Sequence, residues 1–376
     1  MRKTSKYGLI IILPLLFGSC ISSKPTSPDA VTPITTSLQP PESDLLHSIF
    51  LLGDGGNASL NPLEPTLQVL KQKLTQRNTN ASVIFLGDNI MPNGLPPENA
   101  KKRQEREKSL LAQFNTVDNF TGNVLFVPGN HDWNSSQNNG AERVRQQAQF
   151  IEQRLDRGNT FVPDSSRPGP TEIVYTGKTN FKIKIIALDL TWWLYEHDKP
   201  LMGNDSEQIA KEQFLQDVEK AVNDTTYDNL LVVAHHPMYS YGPRGGYFPL
   251  KTHLLPPVGG SLYVLYRKLF GNKKDIKHYK ELKEQLVEIF DQRTPFIYAS
   301  GHDHSLQYIG FDDERSNQHY IVSGAASETR YVKNPDLPSF AIQQKGFAVI
   351  NYYESGIWIE FWNFKGDRIF ERQIPN

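Results

Sequence analysis

The stretch Ser82-Val83-Ile84-Phe85-Leu86-Gly87-Asp88-Asn89-Ile90-Met91 decides the fold. Val83 to Leu86 are all apolar and rich in β-branching, which reads as a short strand buried on both faces. The run stops at Gly87, and an aspartate follows at once. In open α/β sheets ligands gather beyond the carboxyl ends of the strands, so Asp88 stands where chemistry is done. Four other apolar runs end in the same manner. Ile49–Leu52 leads into Gly53-Asp54-Gly55-Gly56-Asn57, and Val124–Val127 leads into Pro128-Gly129-Asn130-His131-Asp132. Asn229–Ala234 leads into His235-His236-Pro237, and Phe296–Ala299 into Ser300-Gly301-His302-Asp303-His304.

Asp54, Asp88, Asn130, His131, His235, His302 and His304 therefore all sit at strand ends. Carboxylate, amide oxygen and imidazole suit borderline divalent or trivalent metal ions. Two ions roughly 3.5–4 Å apart, sharing a carboxylate, clamp the attacking and leaving oxygens of an in-line phosphoryl displacement. The expectation is that Asp88 is that shared carboxylate.

Outward from this strand, helical spacing recurs at Leu63 to Arg77, Ala100 to Phe120, Ala141 to Arg157, Ile209 to Val222 and Tyr279 to Gln292. The charged residues of the second of these read as a solvated side. From Tyr308 onward come strand-like runs with turns between them and no helix. Strand–helix alternation followed by a run of strands predicts an α/β fold (an α+β four-layer arrangement). Two packed mixed β-sheets form a sandwich flanked by helices, with the metal site at the carboxyl ends of the strands.

The chain has 376 residues and a formal net charge of −1, so bulk electrostatics do not favour nucleic acid. Residues 1–19 read as a signal peptide, with a basic start at Arg2, Lys3 and Lys6 and a short apolar core, Leu9 to Phe17. Cys20 is the sole cysteine and follows Gly18-Ser19, a pattern similar to a bacterial lipoprotein signal. Phe17 departs from the leucine usual there. Cys20 is thus the expected lipid anchor, residues 20–43 a Ser/Thr/Pro-rich tether, and 44–376 a single catalytic domain. The expected location is the bacterial cell envelope, held to a membrane, in the outer membrane and periplasm or at the cell surface. No disulfide holds the fold.

The five strand-end blocks resemble the signature blocks of calcineurin-like metallophosphoesterases, over about Ile49 to Phe361. Asp54-Gly55-Gly56 in place of the commoner Asp-x-His, the run Gly301 to Tyr308, and Val322-Ser323-Gly324-Ala325 are similar to the small purple (tartrate-resistant-type) acid phosphatases. The resemblance implies Asp54, Asp88 and His304 on one metal, and Asp88, Asn130, His235 and His302 on the other. The ions would be Fe, Mn or Zn. It places His131 near the phosphate, stabilising charge or protonating the leaving alkoxide. It implies two-metal hydrolysis of phosphate esters, acid-phosphatase-like, with metal-bound hydroxide as nucleophile. Two positions depart. Met91 stands where the branch has a metal-ligating tyrosine, and Arg244 where it often has a second catalytic histidine. An arginine holds phosphate but cannot give up a proton at working pH.

Alternatives on the same residues are a phosphodiesterase or nucleotide hydrolase, or a degenerate surface binding module. The implied partners are a phosphate-ester substrate and a membrane, with no nucleic acid and no protein partner. Gly242 to Gly271, with a basic cluster at Arg267, Lys268, Lys273, Lys274 and Lys277, reads as a surface excursion or a substrate- or membrane-facing lip. His236 reads as a packing neighbour, Asp189 as a helix cap, and His47 as unimportant. Asp132 and Asp303 either orient neighbouring histidines or face water. Trp192, Trp193, Tyr239, Tyr241 and Tyr247 either line a cleft or belong to the core.

Overall fold

The structure, a computed structural model, describes residues 39–374 apart from 78–79, 168, 178–180, 202–205, 228 and 248–272. The signal segment, Cys20, most of the tether, Arg267 and Lys268 lie outside the described residues, as do the side chains of Lys273 and Lys274. Within that range the apolar runs form thirteen strands in two sheets. The first sheet contains β1 (Leu45–Leu52), β2 (Ala81–Leu86), β3 (Asn123–Val127), β11 (Gly346–Tyr353), β12 (Gly356–Asn363) and β13 (Arg368–Ile374), in the order β13-β12-β11-β1-β2-β3. The second contains β4 (Thr171–Thr176), β5 (Lys182–Leu188), β6 (Asn229–Ala234), β7 (Phe296–Ser300), β8 (Leu306–Ile309), β9 (Gln318–Ser323) and β10 (Phe340–Ile342), in the order β10-β8-β9-β7-β6-β5-β4. Both sheets are mixed. β1, β2 and β3 run parallel in one, and β5, β6, β7 and β9 in the other, with antiparallel strands flanking each set.

Alternate residues of each central strand face opposite ways, which is why these strands are apolar throughout. Ile84, Leu86, Leu51, Leu231, Val233 and Ile297 meet in the seam between the sheets. Val83, Phe85, Phe50, Val232 and Tyr298 face outward onto helices. Helices α1 (Pro65–Thr75), α2 (Arg103–Val117) and α3 (Gly140–Leu155) lie on the outer side of the first sheet, where Phe114 packs edge-on to Phe126. Helices α4 (Leu190–Leu194), α5 (Glu207–Val222) and α6 (Lys273–Asp291) cover the second, where Phe290 packs on Phe296 and Tyr298. The expected four-layer sandwich is present.

Four details differ from the sequence reading. β4 escapes it because this edge strand is half-buried only at alternate residues and its apolar run is just Ile173-Val174-Tyr175, too short to stand out. Arg103 on α2 is buried, pairs with Glu107 at 2.6 Å and lies over the Phe150 ring, so that helix face is not simply solvated. Gln39 donates to Glu360 Oε1 at 2.8 Å and Tyr353 Oη at 3.1 Å, so the last residues before β1 already lie against the domain. His47 is buried and structural, its Nε2 2.8 Å from Ser82 Oγ, its ring on Tyr175.

The seam sets the spacing of the two sheets. Ile84→Ala should open a cavity there and lower unfolding stability by about 2–5 kcal/mol, read as a fall in denaturant midpoint.

Candidate metal centre

The parallel strands of both sheets end on one edge, and there the sheets come into backbone contact. Gly53 N donates to Ser323 O at 2.7 Å, and Ala326 N to Gly53 O at 3.3 Å. A Cβ at Gly53 would lie 2.9 Å from the Gly301 Cα, so glycine is required for the approach. Asp54, Asp88 and His302 follow their glycines with φ of 62°, 51° and 70°. Such left-handed backbone is costly for residues with a Cβ and persists where surrounding contacts hold it. Here it turns three polar side chains from the strand ends into the gap between the sheets.

His235 fixes the chemistry of that gap. Its Nδ1–H donates across the seam to the Leu86 carbonyl at 2.8 Å, which leaves the Nε2 lone pair pointing inward. Around Nε2 stand His302 Nδ1 at 2.9 Å, Asp88 Oδ2 at 3.2 Å and Asn130 Oδ1 at 3.2 Å. All of these are lone-pair donors. A single proton on Nε2 bonds one of them, whereas a metal ion satisfies all four, so the residues fit a cation. Burial disfavours a charged His235, but the Asp88 and Asp54 carboxylates and the Leu86 carbonyl outweigh it and raise its pKa to about 9, so the Nε2 lone pair is free for a cation only once the cation displaces a proton. Burial likewise opposes ionisation of Asp88, yet His235 and His131 hold it well below the usual carboxylate range. His302 is pushed well below the ordinary histidine value by burial and by the charge of Arg244.

A second group lies beside the first. Asp54 Oδ2 accepts the His302 backbone N–H at 2.7 Å. Its Oδ1 is buried, has no hydrogen-bond partner, and stands 3.3 Å from His304 Nε2. An orphaned buried carboxylate oxygen facing an imidazole nitrogen is again a donor set that fits a cation. His131 closes the mouth of the site, partly exposed. Its backbone N–H donates to Asp88 Oδ1 at 2.8 Å. Its ring Nδ1 lies 2.5 Å from the Pro92 carbonyl, leaving Nε2 3.8 Å from Asp88 Oδ2. Asp54, Asp88, Asn130, His131, His235, His302 and His304 are thus brought to one edge.

Arg244 sits in a tight turn, Pro243–Gly245, whose backbone is held by Asp303: Arg244 N donates to Asp303 Oδ2 at 3.3 Å. Burial, and then the charges of His235 and Arg244, hold His236 well below the ordinary histidine value. Arg244 lines a cavity of about 290 Å³ with Tyr239, Tyr241, Tyr247 and Tyr279. Three of the five aromatics with two open readings therefore line a cleft, while Trp192 and Trp193 pack on Phe214 in the core. A larger cavity, about 820 Å³, lies away from this edge, at the amino end of β7.

A family model described as calcineurin-like phosphoesterase matches residues 46–306. The chain belongs to the calcineurin-like phosphoesterase family. Its reaction is metal-dependent phosphoester hydrolysis. Purple acid phosphatase 17 of Arabidopsis thaliana is 22% identical over 344 residues, spanning 88% of this chain and 85% of that protein. Purple acid phosphatase 3 of the same plant is 24% identical, spanning 88% and 78%. Among solved structures, GAP50 of Plasmodium shares the fold at a TM-score of 0.54 and 18% identity, covering 88% of this chain and 89% of GAP50. PhoD shares it at a TM-score of 0.50 and 9% identity, covering 88% of this chain and 72% of PhoD.

Residues around this calcineurin-like site explain why glycine stands at position 56. A Cβ at Gly56 would lie 2.4 Å from Met91 N and 2.7 Å from Asp88 O, so the course of the 88–91 loop excludes any side chain there. That loop is clamped by α2, through Gln113 Nε2 to Asn89 O at 2.9 Å and Arg106 Nη1 to Met91 O at 2.7 Å. Asp132 neither orients His131 nor faces water. It accepts Gly129 N at 2.8 Å and Ile90 N at 3.0 Å, lacing the β2 and β3 loops together. His236 is a buried neighbour, its ring 4.5 Å from that of His302. The residues that sequence reasoning missed are Asn57, Ser327 and Glu328, which border Asp54 and His304.

Asp189 caps α4, accepting Trp192 N at 3.1 Å, and also accepts Trp133 Nε1 at 2.8 Å. Burial pushes its carboxyl up to about 7. The unfolded chain loses this proton near the ordinary value of about 4. Stability linked to the group is therefore complete at acid pH and is lost as pH rises from about 4 through 7. Urea unfolding of wild type and Asp189→Asn across pH 4 to 8 should show that decline in wild type and a shallower one in the variant, where Asp132, its carboxyl also raised by burial, still titrates.

Proposed function

We propose that this chain is an exported, lipid-anchored phosphomonoesterase that works with two metal ions. The observation that carries the two-ion reading is the pairing of donor sets across the seam, His235–His302–Asp88 beside Asp54–His304. In this reading Asp54, Asp88 and His304 hold one ion, and Asp88, Asn130, His235 and His302 the other, with Asp88 as the bridge. Bound ions supply Lewis acidity toward phosphoryl oxygens and lower the pKa of water to near neutrality.

The chain's own residues do the rest. The Pro92 carbonyl holds His131 Nδ1–H, so Nε2 is the atom that carries a proton to or from the site. From there it protonates the leaving alkoxide, a contribution of about 10²–10⁴ in rate. Arg244 binds the non-bridging phosphate oxygens and stays charged throughout. The aromatic cleft around it takes the organic part of the ester. The purple acid phosphatase relatives favour the monoester over the diester reading. Export and lipidation rest on the amino-terminal sequence, with Cys20 as the lipidated residue and the cell envelope as the location.

Purified protein should release phosphate from an aryl phosphate monoester faster than it cleaves the matching diester, and lose activity on chelation. Asp88→Asn should abolish turnover while the circular dichroism spectrum stays that of the wild type; full activity in this variant would refute the assignment. His131→Ala should lose about 10²–10⁴ in kcat.

A thioether is a soft, weak ligand and a poor substitute for phenolate on a hard ion. Iron-loaded wild type should therefore show no visible charge-transfer band. Met91→Tyr should gain one, and absorbance spectra of the two proteins check both statements.

A further inference from the structure

We propose that Glu328 is the positioning residue of the Asp54–His304 metal position, acting through the far nitrogen of His304 in compensation for the missing tyrosine. The inference rests on the two-metal reading above. His304 Nε2 faces Asp54 Oδ1 at 3.3 Å, and its Nδ1 faces away from that pair, with Glu328 Oε2 at 3.5 Å. Nδ1 is buried and makes no hydrogen bond. The glutamate is not a loose surface group. Asn57 Nδ2 donates to its Oε1 at 2.6 Å and lies 3.5 Å from the Met91 sulfur. The segment carrying it is tied to both members of the metal position: Ser327 Oγ donates to Asp54 O at 2.6 Å, and Arg330 N to His304 O at 2.6 Å.

This arrangement has a chemical consequence. A carboxylate accepting Nδ1–H fixes the tautomer of an imidazole, leaves the Nε2 lone pair for the ion, and raises its basicity. At 3.5 Å, Glu328 Oε2 already stands at the outer limit of hydrogen-bond reach from Nδ1. The effect is to return negative charge to the side of the site where Met91 supplies none. Asn57 joins the two, touching the neutral thioether with the same amide that steadies the carboxylate.

The test uses metal binding instead of turnover. Metal-free wild type titrated with Zn²⁺ in a calorimeter should take up two equivalents. Glu328→Ala should keep one equivalent at wild-type affinity and bind the other about 10–100-fold more weakly. Glu328→Gln, which keeps an acceptor without the charge, should fall between. Imidazole ¹⁵N spectra of the metal-free proteins should show His304 as the Nδ1–H tautomer in wild type and a mixture in Glu328→Ala. Two equivalents at wild-type affinity in Glu328→Ala, with the tautomer unchanged, would overturn the inference and leave the two-metal reading standing. Failure of wild type itself to bind two ions would overturn that reading instead.

Discussion

One hydrogen bond joins the architecture to the chemistry. His235 belongs to the second sheet and Leu86 to the first, and the imidazole N–H reaches the carbonyl across the seam at 2.8 Å. The contact fixes how far apart the two sheet edges stand. It also fixes which ring nitrogen carries the hydrogen, and so turns a lone pair toward Asp88, Asn130 and His302. Gly87 makes it possible: a Cβ there would lie 2.6 Å from the His235 ring, and φ of 85° suits only glycine well. Sandwich packing and ligand geometry are thus set by the same few atoms.

Much of this was legible in the sequence, because the strands that matter are buried on both faces. Such strands must be apolar throughout, so their ends show sharply where a glycine and a polar residue follow. The run Val83–Leu86 into Gly87-Asp88 and the run Phe296–Ala299 into Gly301-His302 announce themselves in this way. Edge strands do not. β4 is a half-exposed edge strand that pairs with the next strand, and β10 is three residues long and pairs with β8, about thirty residues earlier. The roles of Asp132 and Asp303 were also hidden, since a carboxylate that accepts backbone N–H groups from another loop looks in sequence like any other aspartate.

The side of the site around Asp54 and His304 shows a different limit. Gly56 and Met91 are both readable as departures from the family pattern, but the cause of the first is not. The cause is the path of the 88–91 loop, held from outside by α2 and leaving no room for a side chain at residue 56. Glu328 lies 271 residues beyond Asn57, the residue that steadies it. Only the parallel placement of β9 beside β7, which carries the segment after Ser323 to the same edge, brings them together. A strand ending in Ser323-Gly324-Ala325 and followed by Ser327-Glu328 was the available signal.

The short run His302-Asp303-His304 carries an implication for how such a site changes. Its two histidines turn toward the metal positions, while the aspartate between them turns the other way and holds Ser240 and the backbone of Arg244. In the proposed reading, the residues that would hold the ions and those that would take the ester's organic group are therefore geared through three consecutive residues. Adapting the loop to a bulkier ester moves Asp303, and with it the imidazoles on either side. On the proposed function, substrate range and metal selectivity are not independent dials, and remodelling one would entail retuning the other.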